Sequence, residues 1–135
     1  MTVHERNQHQ ITEDGEVRRE TMLDVALKLA QSEGWYKLTH ARVARELQFD
    51  RALVNYYLGN KAEFRNKVMA AAVAQKIVPV VAEGILYHNE VALDAPVTLR
   101  KAAKSHIDRT GMKLPRWRKV ADDGQVVHAW ATKTA

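Results

Sequence analysis

Apolar residues recur at three- and four-residue intervals near the start of the chain, a spacing typical of one face of an α-helix. This run begins at Glu16, and its apolar positions include Met22, Leu23, Ala26, Leu27, Leu29 and Ala30. Gly34 follows the last of them, so we expect the helix to end near Ser32 or Glu33. Residues 1–15 are polar and lack this periodicity, which predicts a flexible arm.

The pattern next predicts two short helices separated by a tight turn. Thr39 is a favourable N-cap for a helix that runs to about Leu47, and Asp50 is a second N-cap for a helix over residues 51–57. Two short helices with this separation are typical of a helix-turn-helix. Because so small a unit needs a buried centre, we assign four apolar residues to its core: Phe49, Leu53, Val54 and Leu58.

A longer fourth helix is predicted over residues 61–78, ending at Pro79. Beyond Pro79 the signals are weaker and indicate a short helical segment within residues 80–88 and a helix over residues 97–109. An Asp-Gly turn between two Val- and Trp-bearing runs predicts a β-hairpin over residues 116–131.

The predicted fold is therefore mainly α. A three-helix helix-turn-helix unit and a long fourth helix form a domain over residues 16–78, preceded by the arm over residues 1–15. A small C-terminal region over residues 79–135 carries the short helical segment and the hairpin.

Composition fits a folded chain: hydrophobic residues make up 46% and charged residues 27% of its 135 positions. The absence of cysteine excludes disulfides, cysteine-based zinc sites and thiol catalysis. No apolar run is long enough to span a bilayer, and the polar N-terminus lacks the apolar core of a secretory signal. We therefore expect a soluble, cytoplasmic protein without a membrane partner.

The net charge of +5 favours an anionic partner, and the charge is unevenly distributed. Residues 1–60 carry eight basic and nine acidic side chains, whereas residues 61–135 carry thirteen basic and seven acidic ones. The positive charge is therefore concentrated in the C-terminal half.

Enzyme chemistry finds little support in the sequence. It contains no phosphate-binding loop, no glycine-rich dinucleotide loop, no His-Glu-x-x-His zinc motif and no Gly-x-Ser-x-Gly nucleophile motif. Its six histidines are scattered without the spacing of metal ligands. We expect no enzyme activity, no metal and no cofactor.

Several segments between Arg18 and Val68 follow one another in a distinctive order and spacing. They are Met22–Ala30, Gly34-Trp35, Leu38-Thr39, Val43–Leu47, Arg51–Lys61 and Glu63-Phe64. Together they resemble the DNA-binding domain of the TetR family of transcriptional regulators. The resemblance implies a sequence-specific regulator of bacterial or phage type, in most cases a repressor, that binds double-stranded DNA as a homodimer.

In a helix-turn-helix the second helix enters the major groove, where base edges carry distinct donors and acceptors. The residues that we expect to read bases from helix 50–57 are Arg51, Ala52, Asn55 and Tyr56. Phosphate contacts are expected at the start of the supporting helix, from Thr39, His40 and Arg42, with Arg45 a weaker candidate. The resemblance adds Tyr57 and Lys61 as a phosphate-contacting pair. Alternatively, either tyrosine packs in the core, and Arg42 and Arg45 form a solvated helix face.

The chain departs from the family in several respects, among them Asn55 where an aromatic residue is common and Leu58 where Phe is common. Gln48 stands where the turn usually has glycine, so its backbone needs a less common conformation. The residues after Pro79 are also too few for the helical domain in which these regulators bind small inducers. Binding of a small-molecule effector is therefore not carried over.

The basic C-terminal region allows two interpretations. It is either a small helical brace with solvated charges or a second phosphate-binding surface made by Arg100, Lys101, Lys104, Lys113, Arg116, Arg118 and Lys119. Trp117 and Trp130 would be either a packed pair or a platform for stacking bases. A second hypothesis for the whole chain is a phage-type DNA-processing or assembly adaptor, such as a small terminase subunit, which would form a ring rather than a dimer.

Overall fold

The computed structural model describes residues 3–114, 118–120 and 126–128, with side chains from residue 15 to residue 114. In this part of the chain the fold is mainly helical, as the periodicity predicts. The helices are α1 (Val3–Glu33), α2 (His40–Leu47), α3 (Arg51–Leu58), α4 (Lys61–Ala74), α5 (Val78–Leu86), α6 (Glu90–Leu93) and α7 (Val97–Thr110). Two strands follow, β1 (Arg118–Val120) and β2 (Val126–His128).

Helix α1 begins much earlier than the sequence pattern predicts. It starts at Val3 rather than near Glu16, and it ends at Glu33, directly before Gly34, as expected. The arm predicted for residues 1–15 is therefore helical from Val3 onward. Glu, Gln and Arg have good intrinsic helix propensity, and no proline interrupts the segment, so the backbone continues without an apolar face to guide it.

The two short helices lie where their capping residues predict. The hydroxyl of Thr39 accepts a hydrogen bond from the Arg42 amide at 3.1 Å and so begins α2. Asp50 directly precedes α3, although its side chain makes no capping hydrogen bond. Val54 and Leu58 are buried as assigned, whereas Phe49 and Leu53 pack against the core with part of their surface still exposed.

Helix α4 ends at Ala74, earlier than the predicted end at residue 78. Lys76 then adopts a left-handed conformation with φ of 56°, and Pro79 lies in the first turn of α5. The prediction that Pro79 ends the fourth helix was wrong, because proline fits the first turn of a helix as well as it breaks an interior.

The C-terminal helices share one core with the helix-turn-helix unit. Buried residues of α5, α6 and α7 belong to the same cluster as Met22, Val54 and Phe64 of the earlier helices; they are Val80, Val81, Ala82, Ala92, Leu99 and Ala103. The boundary predicted at Pro79 therefore does not separate two cores in the described residues. Helix α6, a single turn whose amides are capped by the Asn89 side chain, was not predicted.

Strands β1 and β2 pair antiparallel, with Lys119 opposite Val127. They lie within the segment for which the sequence predicts a hairpin. The Asp122-Asp123-Gly124 turn and both tryptophans of the predicted hairpin, Trp117 and Trp130, fall outside the described residues.

A carboxylate on α5 connects the later helices to the loop between α1 and α2. Glu83 accepts hydrogen bonds from the Trp35 amide at 2.9 Å and the Tyr36 amide at 2.7 Å. Burial raises the pKa of Glu83, while the Trp35 amide and the positive charge of Lys37 act in the opposite direction. This contact joins residues 47 and 48 positions apart in the sequence and fixes the loop that leads into α2.

Replacing Glu83→Gln tests this connection, because the glutamine NH₂ group is only a donor and would face one of the two backbone N–H groups, whereas both oxygens of a carboxyl can accept. At pH 7 we expect the free energy of unfolding to fall by about 1–3 kcal/mol, the cost of one unsatisfied buried donor. Chemical denaturation followed by circular dichroism measures this loss. Glu20→Gln, at an exposed position of α1, is the control and should change stability little.

The same pair of proteins tests the direction of the pKa shift. A carboxyl whose pKa is raised by folding binds its proton more tightly in the folded state, so its protonation favours folding. That contribution is complete below the pKa of the unfolded chain and is lost as the pH rises through the folded pKa. The stability difference between the wild-type protein and Glu83→Gln should therefore widen as the pH is lowered from 7. A difference that narrows on acidification would contradict the assignment.

Candidate nucleic-acid interface

The turn between α2 and α3 sets the direction of α3. Gln48 ends α2 in the left-handed conformation, with φ of 59° and ψ of 39°. The next amide, that of Phe49, donates to the Ala44 carbonyl at 2.9 Å, which closes the end of α2. Gln48 thus has the less common backbone conformation that the sequence analysis expects, at a cost of about 1 kcal/mol for a residue that carries a side chain.

Helix α3 divides its residues cleanly between core and surface. Arg51, Ala52, Asn55 and Tyr56, the four residues expected to read bases, are all exposed, and their spacing puts them on one face. Tyr56 is 80% exposed. The opposite face buries Val54 and Leu58. The polar side chains on the outer face can therefore reach a partner without disturbing the core.

The two adjacent tyrosines have different surroundings. Tyr57 packs against the core and lies close to α1, where a Cβ atom added at Gly15 would be 3.4 Å from its ring. Tyr56 meets the Tyr57 ring edge-on, with 5.1 Å between ring centroids. The sequence leaves open whether each tyrosine packs in the core or is exposed. Tyr57 packs in part against the core, and Tyr56 is exposed.

A cleft of about 360 Å³ brings together five of the predicted contact residues. It is formed where the start of α2, the outer side of α3 and the start of α4 meet. The predicted residues that line it are Thr39, His40, Arg51, Asn55 and Lys61. Residues from three helices therefore face one space, a grouping that their positions along the chain do not by themselves reveal.

His40 has a structural role inside this cleft. Its Nε2–H donates to the Gly59 carbonyl at 2.8 Å, and its ring lies 4.4 Å from the Phe64 ring, measured between centroids. The imidazole thus connects the start of α2 to the turn after α3. Its Nε2 already has a protein partner, so it is less suited to the phosphate contact expected of it.

Arg42 is held by two carboxylates instead of facing outward. Its guanidinium makes ion pairs with Glu33 at 2.8 Å and with Glu46 at 2.9 Å. The hydrogen bond from Arg42, more than its charge, lowers the pKa of Glu33. The cation predicted to bind phosphate thus connects the end of α1 to α2, and its charge is balanced within the protein.

The turn between α3 and α4 is closed by a reciprocal pair of hydrogen bonds. The Asn60 side chain accepts from the Glu63 amide at 2.9 Å, and the Glu63 carboxylate accepts from the Asn60 amide at 3.1 Å. This capping box positions Lys61, the first residue of α4, beside α3. The sequence analysis does not identify this pair as a cap, although Asn followed three positions later by Glu is a recognisable signal for a helix start.

The predicted second basic surface is described only in part. Lys101 and Lys104 are exposed on α7, and Lys113 is exposed after it. Arg100 is less free, because its Nε–H donates to the Ala95 carbonyl at 2.8 Å. The side chains of Arg116, Arg118 and Lys119 lie outside the described ones.

Two further properties concern the described residues as a set. Their histidine, aspartate and glutamate side chains form no group of three that could hold a metal ion. None of their helices has both the length and the apolar character needed to cross a membrane.

Comparison with known proteins provides no relative. No protein family model, no curated protein and no solved structure matches the chain significantly. The function proposed below is inferred from the geometry of α3 and the cleft and from the sequence resemblance.

Gly59 is the residue on which the turn before α4 most depends. Its φ of 80° and ψ of −166° belong to a region that side-chain-bearing residues avoid, and a Cβ atom there would lie 2.9 Å from Glu63. Gly59→Ala should lower the free energy of unfolding by about 2–4 kcal/mol, because backbone strain adds to the loss of the capping box. Urea denaturation measures the change.

Gly111→Ala is the matched control for this substitution. Gly111 also has a positive φ, 68°, but an added Cβ would have no atom of the described residues within 4 Å apart from its neighbours along the chain. Its replacement should cost only about 1 kcal/mol. Equal losses at the two positions would show that the contact with Glu63 does not matter.

Proposed function

We propose that this chain is a sequence-specific double-stranded DNA-binding protein, a transcriptional regulator that inserts α3 into the major groove. The observation that carries the proposal is the outer face of α3. Arg51, Ala52, Asn55 and Tyr56 are exposed on it together, while the opposite face is fixed in the core. The TetR resemblance of residues 18–68 supports the same function.

The side chains on this face suit base recognition. Arg51 can donate two hydrogen bonds to the guanine edge, and Asn55 can both donate to and accept from adenine. Ala52 is small enough to approach a thymine methyl group. Tyr56 projects beside them with most of its surface accessible.

The surrounding residues suit phosphate contacts, with some revision of the expected set. Thr39 and Lys61 both line the cleft and both are exposed. Tyr57 remains a candidate through the edge that its packing leaves exposed. Arg42 is a weaker candidate than the sequence suggests, because Glu33 and Glu46 already neutralise its charge.

We further propose that the regulator is a cytoplasmic homodimer without enzyme activity, and a repressor as the resemblance implies. A single small helix-turn-helix rarely provides enough contact for tight and selective binding, whereas two copies on a palindromic site double the contacts. Light scattering measures the mass directly. A ring of many subunits would favour the assembly-adaptor hypothesis instead.

Base reading by α3 is tested by mixing the protein with random genomic fragments and sequencing the fragments that the protein retains. The wild-type protein should enrich one palindromic site. The double variant Arg51→Ala, Asn55→Ala should lose that preference by at least about 30-fold, because each bidentate base contact is worth about 1–3 kcal/mol. Binding to unrelated DNA should change much less.

The matched control removes a cation and an amide elsewhere. Lys28 and Gln31 are exposed on α1, and the variant Lys28→Ala, Gln31→Ala should enrich the same site as the wild-type protein. An unchanged preference in the α3 variant would refute base reading by Arg51 and Asn55. Failure of the wild-type protein to retain any DNA would refute the proposed function itself.

The second basic surface is tested by the salt dependence of DNA binding. If Lys101 and Lys104 both contact phosphates, replacing them with alanine should reduce the slope of log affinity against log salt concentration by about 1.8. Lys28→Ala, Lys37→Ala removes the same charge from exposed positions outside this surface and is the control. The same slope in all three proteins would favour the alternative, a brace with solvated charges.

A further inference from the structure

A groove that is open to solvent lies between the C-terminal half of α4 and α6. Its volume is about 860 Å³. The apolar residues that line it are Ala70, Val73, Ala74, Val91, Leu93 and Ala95. Three of them, Ala70, Ala74 and Leu93, are exposed. The two helices therefore present an apolar surface that the described residues leave uncovered.

Large apolar side chains are concentrated beside this groove. Among the described residues, the large apolar side chains that are exposed are those of Val17, Tyr56, Leu93 and Val97. Tyr56 belongs to the outer face of α3, and Val17 lies on α1. Leu93, 39% exposed, lines the groove, and Val97, 54% exposed, follows two positions after Ala95 of the same lining. Single exposed apolar side chains are ordinary, but a group of them on one surface marks a contact site.

The shape of this surface suits contact with a second copy of itself. In a twofold dimer the same patch lies on both sides of the interface, so it has to offer both a depression and the side chain that fills it. The small side chains of Ala70 and Ala74 leave a depression along α4, and Leu93 stands exposed on the α6 side. A twofold axis that runs along the groove places the α4 side of one copy against the α6 side of the other. Leu93 of each copy would then enter the groove of the other.

Charges of both signs border the apolar surface. Glu90 and Asp94 line the groove on its α6 side, and Lys76 is exposed two positions after Ala74, the end of α4. Among the described side chains the ion pairs all involve Arg42, so Asp94 and Lys76 have no ion pair there. The same twofold axis would bring the acidic side of one copy toward Lys76 of the other. A strongly acidic or strongly basic partner would instead meet like charges at this border.

The groove and the proposed DNA contacts lie at opposite ends of α4. Lys61, the first residue of this helix, lines the cleft, and Ala74, the last, lines the groove. A helix of 14 residues is about 21 Å long. Pairing through the groove therefore leaves the outer faces of both α3 helices free. Two lengths of α4 are also enough to separate these faces by the roughly 34 Å between successive major-groove sites on one side of DNA.

We propose that two copies of this chain dimerise through the groove, with the α4 side of each copy packed against the α6 side of the other. The proposal rests on the homodimer of the proposed function and names the residues that join the two copies. It is independent of the bases that α3 contacts, because none of the groove residues belongs to the proposed DNA contacts.

Light scattering without DNA, over a series of protein concentrations, tests this surface. The wild-type protein should have about twice the 15.3 kDa mass of one chain. Leu93→Glu should raise the dissociation constant of the dimer at least about 100-fold, because dimerisation would bury a carboxylate without a partner. Ala70→Glu should have the same effect. Ala70 is exposed within α4, where glutamate favours the helix, so circular dichroism should show an intact fold.

Val17→Glu is the matched control, because it places the same carboxylate at an exposed apolar position outside the groove. It should dimerise as the wild-type protein does. A wild-type protein that is monomeric or forms a ring of many subunits would overturn the proposal. Groove variants that remain dimers, or an equal loss of dimer in Val17→Glu, would also overturn it. Failure of a dimeric wild-type protein to retain DNA would instead refute DNA binding and leave the dimer surface standing.

Discussion

The two hydrogen bonds that Glu83 accepts from the Trp35 and Tyr36 amides hold the loop between α1 and α2, and with it the start of α2, against α5. These amides lie in a tight loop between helices, where the backbone has no ladder or helix to satisfy it. A buried N–H group without a partner costs about 1–3 kcal/mol. The Glu83 carboxylate accepts from two such groups, and this gain offsets part of the cost of burying the carboxylate itself. Leu38 and Thr39 follow directly in the chain. The direction of this loop therefore decides where α2 begins and where the cleft has its wall.

Helix α4 connects this loop to the cleft. Its first residue, Lys61, lines the cleft, and Arg65, one turn later, donates a hydrogen bond to the Tyr36 carbonyl in the loop. Phe64 stands between them, buried beneath the His40 ring. Because packed side chains at successive turns move together, a change in the rotation of α4 at Arg65 would also displace Lys61 and the Gly59–Asn60 turn.

The sequence predicts those parts of the fold that depend on neighbours along the chain. Thr39 acts through a hydrogen bond to the third residue after it, and Gly34 through its backbone conformation. The helix limits predicted from them and from Asp50 are close to those observed, although the Asp50 side chain makes no capping hydrogen bond. The start of α1 was missed because a polar helix without a buried face has no periodicity to detect. Pro79 was misread because its effect depends on whether it falls in the first turn or the interior of a helix, and that position is set by packing.

The candidate interface shows the same division. The exposed face of α3 follows from the spacing of Val54 and Leu58, so the four base-reading candidates could be chosen from the sequence. The partners of His40 and Arg42 could not, because Gly59, Glu33 and Glu46 come from other elements or another turn. Glu83 and Arg65 lie in ordinary helical sequence. Only tertiary contacts distinguish them from the other charged residues.

The neutralisation of Arg42 also changes the balance of forces at the interface. Between Thr39 and Lys61 the chain has four basic and two acidic side chains, but Arg42 is already paired with Glu33 and Glu46. The charges left for phosphates are those of Arg45, Arg51 and Lys61, with Asp50 opposing them. Non-specific attraction scales with the number of phosphates neutralised, so it is weak for this surface alone. If α3 binds DNA as proposed, a larger share of the affinity would come from contacts with base edges, which favours selectivity, and general attraction would come from a second copy of the chain or from the basic residues beyond α6.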